Sequence, residues 1–276
     1  MGWHGHLQLN YRRAVDRTVL HDRHEGPLRV LQRLYPEGPG ICHSVLVHPP
    51  GGIVGGDVLG LEVTLAPGAH ALITTAGATR FYRSAGEIAT QRVQLRLEGD
   101  ARLDWLPLES IAFSGCLAEN ALRFTLDPAA EMIGWDILAL GLPASAQPFV
   151  RGRYRQSIEL PGGWLERGTI DADDRLLLDS PLGLAGRRTM ATLFFAAGSA
   201  LAEARKAALL EDARRICGAH ALAETAGTTS PMPQVVVLRV LAPAVEPAIA
   251  LCTQVWQAWR RLAWDLPAVP PRVWRT

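Results

Sequence analysis

The chain has 276 residues, of which 48% are hydrophobic and 20% charged, a composition typical of a globular protein with a sizeable core and not of a disordered chain. Its formal net charge of +1 provides no strongly basic field, so nucleic acid and anionic membranes are poor partners. The first residues lack the basic-then-apolar layout of a signal peptide, and no apolar run approaches ~18 residues, so we expect a cytoplasmic protein.

Residues 1–197 have the rhythm of a β protein. Turn signals rich in Gly, Pro and Asp recur about every ten residues, which leaves little room for helices. The short apolar runs between these turns predict strands, among them Ser44–Val47, Ala71–Thr75, Val93–Leu97, Leu122–Leu126 and Leu176–Leu178.

A weak internal repeat refines this prediction. Three stretches share a polar turn, a small residue, one polar residue and then an apolar strand, with the small residue at Ala69, Ala101 and Ala130. A recurrence of about 30 residues is typical of stacked coils. We therefore expect a layered, β-helix-like body rather than a closed barrel.

The C-terminal part, residues 198–276, has a different pattern. Ser199 as N-cap and Gly218 as a stop predict a helix near 199–217. A loop is predicted over Thr228–Pro233, a strand over Val235–Leu241, and a second helix from about Glu246 to Trp264. We expect the body and this part to form one domain over residues 1–276.

Three tryptophans of the second predicted helix indicate an extra contact. Trp259 belongs to the apolar stripe of the helix, whereas Trp256 and Trp264 fall outside it. A helix packed against a single neighbour does not need large apolar side chains outside its stripe. The three tryptophans are therefore predicted to contribute either to the core or to the binding of a partner protein.

The most unusual segment, His48–Asp57, has four glycines within six positions after two prolines. Such a loop requires positive φ angles or close backbone approach. It does not fit a nucleotide cradle, because it lacks a Lys-Ser/Thr ending and GxGxxG spacing and is followed by strand-like sequence.

Two further segments, Trp105–Glu109 and Gly134–Asp136, place a carboxylate near a tryptophan in otherwise apolar surroundings. A carboxylate in such a place has to be paired, hydrogen-bonded, metal-bound or in contact with a water-filled passage. Between the glycine-rich loop and these segments, Thr74–Arg83 predicts a strand end followed by a tight turn of small residues.

Taken together, these segments resemble the urease accessory protein family UreD/UreH. The resemblance runs from about residue 3 to the last residue, although Ala76, Arg80 and Leu108 replace the family's usual proline, lysine and glutamine. It rests on HEGPL (24–28), HPPGGIVGGD (48–57), TTAGATRFYR (74–83), WLPLESIAF (105–113), GWDILALG (134–141) and PPRVWRT (270–276).

The resemblance implies a β-rich protein with a helical cap, no catalytic activity and no tightly bound cofactor. It implies binding to the urease apoprotein and to two further accessory proteins, UreF and the GTPase UreG. Ni²⁺ would pass transiently through an internal water-filled passage towards the urease active site. A transit path of this kind needs oxygen or imidazole ligands that release the ion, and not a closed Cys/His cage.

Six side chains are our candidate Ni²⁺ ligands or passage-lining groups. For each carboxylate the alternative is a structural ion pair or a turn hydrogen bond. The candidates are Asp57, Glu109, Asp136, Glu166, His48 and His4.

His4 is a candidate for a different reason. If Met1 is removed, Gly2-Trp3-His4 becomes the start of the chain, and the α-amine, two amides and the imidazole supply four nitrogens in a plane. That arrangement suits Ni²⁺ or Cu²⁺, and it would act as a store rather than as a transit site. A frayed terminus with a chance histidine is the alternative.

Two other functional classes are compatible with the strand-and-turn rhythm. A polysaccharide-acting β-helix enzyme would show clustered carboxylates and usually a signal peptide, and neither is found in the sequence. A β-solenoid scaffold unrelated to urease is the second alternative.

Overall fold

The computed structural model describes residues 2–142 and 145–275. About 49% of the chain is in strands and 18% in helices, so the predicted mainly β fold is confirmed.

The strands of the first half are β1 (His4–Ala14), β2 (Arg17–Glu25), β3 (Arg29–Leu34), β4 (Ile41–Val47), β5 (Val58–Leu65), β6 (His70–Thr75), β7 (Thr79–Phe81), β8 (Ala89–Leu97), β9 (Arg102–Trp105), β10 (Ser110–Ala112) and β11 (Cys116–Leu126). Those of the second half are β12 (Glu131–Leu142), β13 (Gln147–Pro148), β14 (Gly152–Leu160), β15 (Trp164–Asp171), β16 (Thr189–Ala197), β17 (Ala226–Met232) and β18 (Val235–Ala242). The helices are α1 (Arg175–Asp179), α2 (Glu203–Gly218) and α3 (Val245–Trp264), with 3-10 turns at Ala223–Thr225 and Arg272–Arg275.

The strands form two sheets that face each other. Sheet 1 has the order β15-β14-β11-β8-β5-β1-β2, and the main path of sheet 2 is β17-β18-β16-β12-β9-β6-β4-β3. The central strands of both sheets are parallel, because the chain alternates between the sheets as it advances, whereas the flanking strands pair in antiparallel fashion.

The repeat predicted from the sequence corresponds to successive coils. Ala69, Ala101 and Ala130 are buried at the turns that lead from sheet 1 into β6, β9 and β12. The coils are joined by backbone hydrogen bonds, for instance from Arg102 N–H to the Ala69 carbonyl. Asp100 accepts a hydrogen bond from the Gly68 N–H of the preceding coil, and this explains why an acidic residue recurs at these turns. The prediction of layered β coils is confirmed.

The core has three parts. Two apolar clusters lie between the sheets, and the third lies between sheet 2 and the helices α2 and α3. Sheet 2 is therefore covered on both faces, which is why β12 and β16 are almost continuously apolar. Strands of sheet 1 alternate instead, as in β8, where Val93, Leu95 and Leu97 are buried and the residues between them are exposed.

Three local predictions were wrong. Leu176–Leu178 belongs to the short helix α1, which begins because the Asp174 carboxylate accepts the Leu177 N–H. Ser199 does not cap α2, since its hydroxyl donates to the Pro128 carbonyl and the helix begins at Glu203. The predicted loop Thr228–Pro233 lies largely in β17, which pairs with β18.

The strand predicted at Val235–Leu241 and the helix from about Glu246 to Trp264 are confirmed as β18 and α3. β18 pairs with β16, so the body and the C-terminal part share sheet 2. That the whole chain forms one domain stays a prediction.

A buried cluster of charged groups joins α3 to sheet 2. The Arg260 guanidinium, which is fully buried, donates two hydrogen bonds to Glu37 at 2.8 and 3.0 Å and lies 3.6 Å from Asp104. Glu37 also pairs with His43 at 2.7 Å, and Asp104 with His70 at 3.2 Å. Because removing one member would leave buried charges unpaired, this cluster fixes the position of α3.

The three tryptophans of α3 are buried within the protein. The indole N–H of Trp256 donates to Asp104 at 2.7 Å, and that of Trp264 donates to Glu131 at 2.8 Å. Trp259 donates to the Leu209 carbonyl of α2 at 3.0 Å. The additional neighbours that the sequence indicated are thus present in this chain, and contact with a partner stays a prediction.

A polar layer between the sheets as the candidate functional site

A band of polar side chains separates the two apolar clusters between the sheets. In sheet 1, Gln91 pairs with Asn120 across β8 and β11, and Asn120 pairs with Gln156 across β11 and β14. The inward positions on either side of Asn120 are the apolar Ala118 and Leu122, which belong to different clusters. Sheet 1 therefore carries one polar level between two apolar ones.

Sheet 2 has a matching level. Asp136 of β12 pairs with Thr192 of β16, which pairs with Arg239 of β18. We call the residues Gln91, Asn120, Asp136, Glu166, Thr192 and Arg239 the polar layer.

Hydrogen bonds connect the polar layer across the sandwich. The side-chain amide of Gln91 donates to Asn120 Oδ1 at 3.1 Å, and the Asn120 amide donates to Asp136 Oδ2 at 3.0 Å. The other oxygen of Asp136, Oδ1, is buried and has no hydrogen-bond partner among the described residues. An unsatisfied buried carboxylate oxygen is costly, and it marks a place where water or a cation can bind.

The surroundings of Asp136 perturb its ionisation. Burial, and then repulsion by the nearby Glu166 carboxylate, raise the pKa of Asp136 from 3.8 to about 7. The hydrogen bond from Asn120 acts in the opposite direction and lowers this pKa. The residue is only half-buried, although β12 lies inside sheet 2 and the side chain faces sheet 1.

Tyr154 supplies a second unsatisfied group next to Asp136. Its hydroxyl is buried and makes no hydrogen bond of normal geometry within residues 2–142 and 145–275. Burial raises the pKa of Tyr154 well above its usual value, and the charge of Asp136 adds to that effect. The Tyr154 phenol therefore stays neutral beside Asp136.

Glu166 forms the far end of the polar layer. Its Oε1 accepts a hydrogen bond from the Thr192 hydroxyl at 2.9 Å. Its Oε2 accepts from Arg239, whose Nε lies 2.9 Å away and whose terminal nitrogen makes a second contact. Glu166 is on β15 and Arg239 on β18, so the ion pair joins the two sheets at the open side of the sandwich.

The near end of the polar layer opens into a cavity of about 270 Å³. Its walls are mainly apolar and come from both sheets, with Trp105 and Leu61 among them. Polar groups reach it from His48, Arg80 and Gln91. Gln91 thus belongs to both the cavity wall and the polar layer.

The glycine-rich loop forms part of this cavity wall. Gly51 has a φ of +76°, which favours glycine. A Cβ on Gly52 would lie 2.1 Å from the ring of Tyr82, so only glycine fits there. The loop thus brings backbone close to an aromatic ring, which explains the glycines without a phosphate ligand.

Two candidates from the sequence lie near the cavity. His48 lines it, and burial lowers the pKa of His48 while the charge of Asp57 opposes this. Asp57 itself accepts the backbone N–H groups of Trp3 at 2.8 Å and Val54 at 3.0 Å. The Asp57 carboxylate therefore holds the turn before β5, and its role as a passage-lining group stays a prediction.

The structure brings Asp136 and Glu166 together and leaves the remaining candidates elsewhere. Glu109 is half-buried just after the cavity residue Pro107, and its backbone carbonyl accepts the Thr79 N–H. His4 is exposed at the beginning of β1, on a surface shared with His24. The Met1 on which the N-terminal motif depends lies outside the described residues.

Sequence reasoning missed four members of the polar layer, namely Gln91, Asn120, Thr192 and Arg239. A signal existed for two of them. In β8 the inward positions are Ala89, Gln91, Val93, Leu95 and Leu97, so one polar residue interrupts an apolar series, and Asn120 interrupts the series of β11 in the same way.

No group of three or more His, Cys, Asp or Glu side chains in the described part of the chain is arranged to hold a metal ion. The polar layer instead offers two carboxylates, Asp136 and Glu166, which accept hydrogen bonds from the Asn120 amide and the Thr192 hydroxyl. Within the same residues, no helix is long and apolar enough to cross a membrane.

Comparison with known proteins gives one consistent answer. The family model described as UreD urease accessory protein matches residues 4–275. Urease accessory protein UreD of Leptothrix cholodnii is 62% identical over 278 residues, and that of Variovorax paradoxus is 60% identical over 276 residues, with 100% of each chain covered. The protein of the same name from Methylibium petroleiphilum is 53% identical over 296 residues, again with 100% of both chains covered. These matches favour neither the polysaccharide-acting enzyme nor a scaffold unrelated to urease. The chain belongs to the UreD family of urease accessory proteins.

Proposed function

We propose that this protein is a non-catalytic scaffold for assembly of the urease metallocentre and that Ni²⁺ passes through its polar layer. The observation that carries the proposal is the position of Asp136 between two apolar clusters, with one carboxylate oxygen that has no hydrogen-bond partner among the described residues. A fold that needed only stability would place an apolar residue at that level.

The chemistry of the polar layer suits a cation that has to leave again. Ni²⁺ binds oxygen and imidazole ligands, and a site with a single carboxylate holds it weakly. His48 at the cavity, Asp136 in the middle and Glu166 at the far end supply such ligands in series. Water in the space beside Asp136 would complete the coordination of the ion.

The partners of this function are part of the proposal. We infer that the protein binds the urease apoprotein, UreF and the GTPase UreG in the cytoplasm, as the family resemblance implies. Nucleotide hydrolysis would belong to the GTPase, because the glycine-rich loop of this chain has none of the features of a phosphate-binding loop.

The test is urease activation with this protein, read as nickel content per urease active site. Asp136→Leu should lower the nickel content while pull-down of the partners is retained, because it removes a transient ligand and a hydration site. Glu119→Gln is the matched control, since Glu119 is next to Asn120 in β11 but pairs with Arg155 on the outer face. Unchanged nickel loading with Asp136→Leu would reject the passage.

Asp57→Leu should also lower activation, but it is a less specific probe. The Asp57 carboxylate holds two backbone N–H groups at the entrance to β5, so its loss disturbs the loop as well as any passage. A result at Asp57 alone therefore does not decide between the two roles.

A further inference from the structure

Arg239 covers the open side of the sandwich. β18 is next to the edge of sheet 2, and the guanidinium of Arg239 reaches across to β15, the edge strand of sheet 1. The side chain of Arg239 is 47% exposed and that of Glu166 is 24% exposed. The ion pair therefore lies between solvent and Thr192, which is buried on the next strand.

Both carboxylate oxygens of Glu166 accept hydrogen bonds while this pair is formed. Oε1 is occupied by Thr192 and Oε2 by two nitrogens of Arg239. A cation that reaches Glu166 from either side meets a carboxylate that a guanidinium already neutralises, so it gains little until Arg239 leaves. Leaving is easy, because an ion pair this exposed contributes only ~0.2–1 kcal/mol.

We propose that the side chain of Arg239 is a gate at the far end of the polar layer. While it is paired with Glu166 the gate is closed, and the gate opens when the Arg239 side chain moves into solvent. The proposal rests on the proposed function, since a gate is useful only where a hydrated divalent cation has to pass. Arg239 acts on that cation through Glu166 and is therefore a positioning residue. While closed, its positive charge also opposes the entry of cations from solvent.

If Arg239 only joined the two sheets, removing it would leave the access of solvent and small cations to the interior unchanged. The reactivity of introduced cysteines measures that access. Thr192→Cys places a thiol directly behind the gate, and Gln91→Cys places one at the cavity end. The probe is a small cationic methanethiosulfonate reagent, with mass spectrometry of the full-length chain as the readout. The four native cysteines are free and buried, and the chain without an introduced cysteine gives their background.

Adding Arg239→Gln should raise the modification rate of the thiol at position 192 by about fivefold, the ratio that corresponds to losing ~1 kcal/mol. The rate at position 91 should stay the same, and Arg239→Lys should give an intermediate rate at position 192. An unchanged rate at 192 overturns the gate. An equal increase at both positions also overturns it, because it shows that the whole sandwich has loosened.

The outcome is separable from that of the proposed function. If access at position 192 depends on Arg239 but Asp136→Leu does not affect nickel loading, the gate stands and the nickel role falls. If Asp136→Leu abolishes nickel loading and access is independent of Arg239, the nickel role stands and the gate is rejected.

Discussion

Replacing Asp136 by asparagine should stabilise the protein, and the gain should increase with pH. Asparagine keeps the size of the side chain, and its amide oxygen can accept the hydrogen bond from Asn120 as the carboxylate does. The change removes a charge from a place where burial and then Glu166 raise the pKa of Asp136 from 3.8 to about 7. The variant therefore isolates the cost of keeping a carboxylate in the polar layer.

The magnitude follows from the linkage between protonation and folding. Because the pKa of Asp136 is raised in the folded state, this carboxyl group stays protonated there at pH values at which it is already ionised in the unfolded chain. The free energy of unfolding of the wild type therefore falls as the pH rises towards about 7. Each pH unit in this window corresponds to ~1.4 kcal/mol, or about 2.7 kcal/mol between pH 5 and pH 7. Because Asp136 is only half-buried, we expect a somewhat smaller difference of about 2 kcal/mol.

The assay is urea denaturation of wild type and Asp136→Asn at about pH 5 and about pH 8, compared as free energies of unfolding. Titrating groups that do not interact with Asp136 contribute equally to both proteins, so the difference between them reports Asp136 together with its repulsion of Glu166. Glu119→Gln is the matched control, because it removes a carboxylate from the outer face of the neighbouring strand without changing the size of the side chain. If Asp136→Asn gives the same gain at both pH values, or no gain, the pKa of Asp136 is not raised and our view of the polar layer is wrong.

Three further predictions concern the C-terminal helix and the N-terminus. Arg260→Met should lower the free energy of unfolding by ~3–5 kcal/mol, because it leaves two buried carboxylates without a cation; a loss below ~1 kcal/mol in urea denaturation would contradict this. Trp256→Ala should lower the free energy of unfolding by ~3–5 kcal/mol and reduce UreF pull-down only because less folded protein is present. Lost pull-down by a variant of unchanged stability would instead demonstrate a direct contact. If intact-mass measurement shows that Met1 is removed, His4→Ala should lose one equivalent of Ni²⁺ or Cu²⁺ in calorimetry, and equal binding by both proteins would end that idea.

The sequence predicted features that depend on neighbouring residues. The turns before Ala69, Ala101 and Ala130 are built from Gly, Pro and Asp within a few positions, so their recurrence could be recognised and the stacked coils followed. The second helix was predictable because its apolar stripe spans five turns. The start of α2 was not predictable, because the hydroxyl of Ser199 donates to the carbonyl of Pro128, which is distant in the sequence, and does not cap the helix.

The candidate site was predicted only in part, because it depends on register. Asp136 stood out beside a tryptophan in an apolar strand, and Glu166 in a similar setting. That these two carboxylates meet follows from the pairing of strands in different sheets, and no local pattern determines that pairing. The role of Arg239 could not be inferred from its own strand. Its partner is the carboxylate of Glu166, which lies 73 positions earlier in the chain.

Two carboxylates on opposite faces of sheet 2 show why we propose a function for only one of them. Burial alone would raise the pKa of Asp104, but Arg260, His70 and Trp256 outweigh it and hold this pKa below its usual value. Asp136 has only the Asn120 amide against burial and a second carboxylate, and its pKa is raised. Among the described residues, the fold thus provides a cation for Asp104 and none for Asp136. This difference between the two carboxylates supports the proposal that a metal ion passes Asp136.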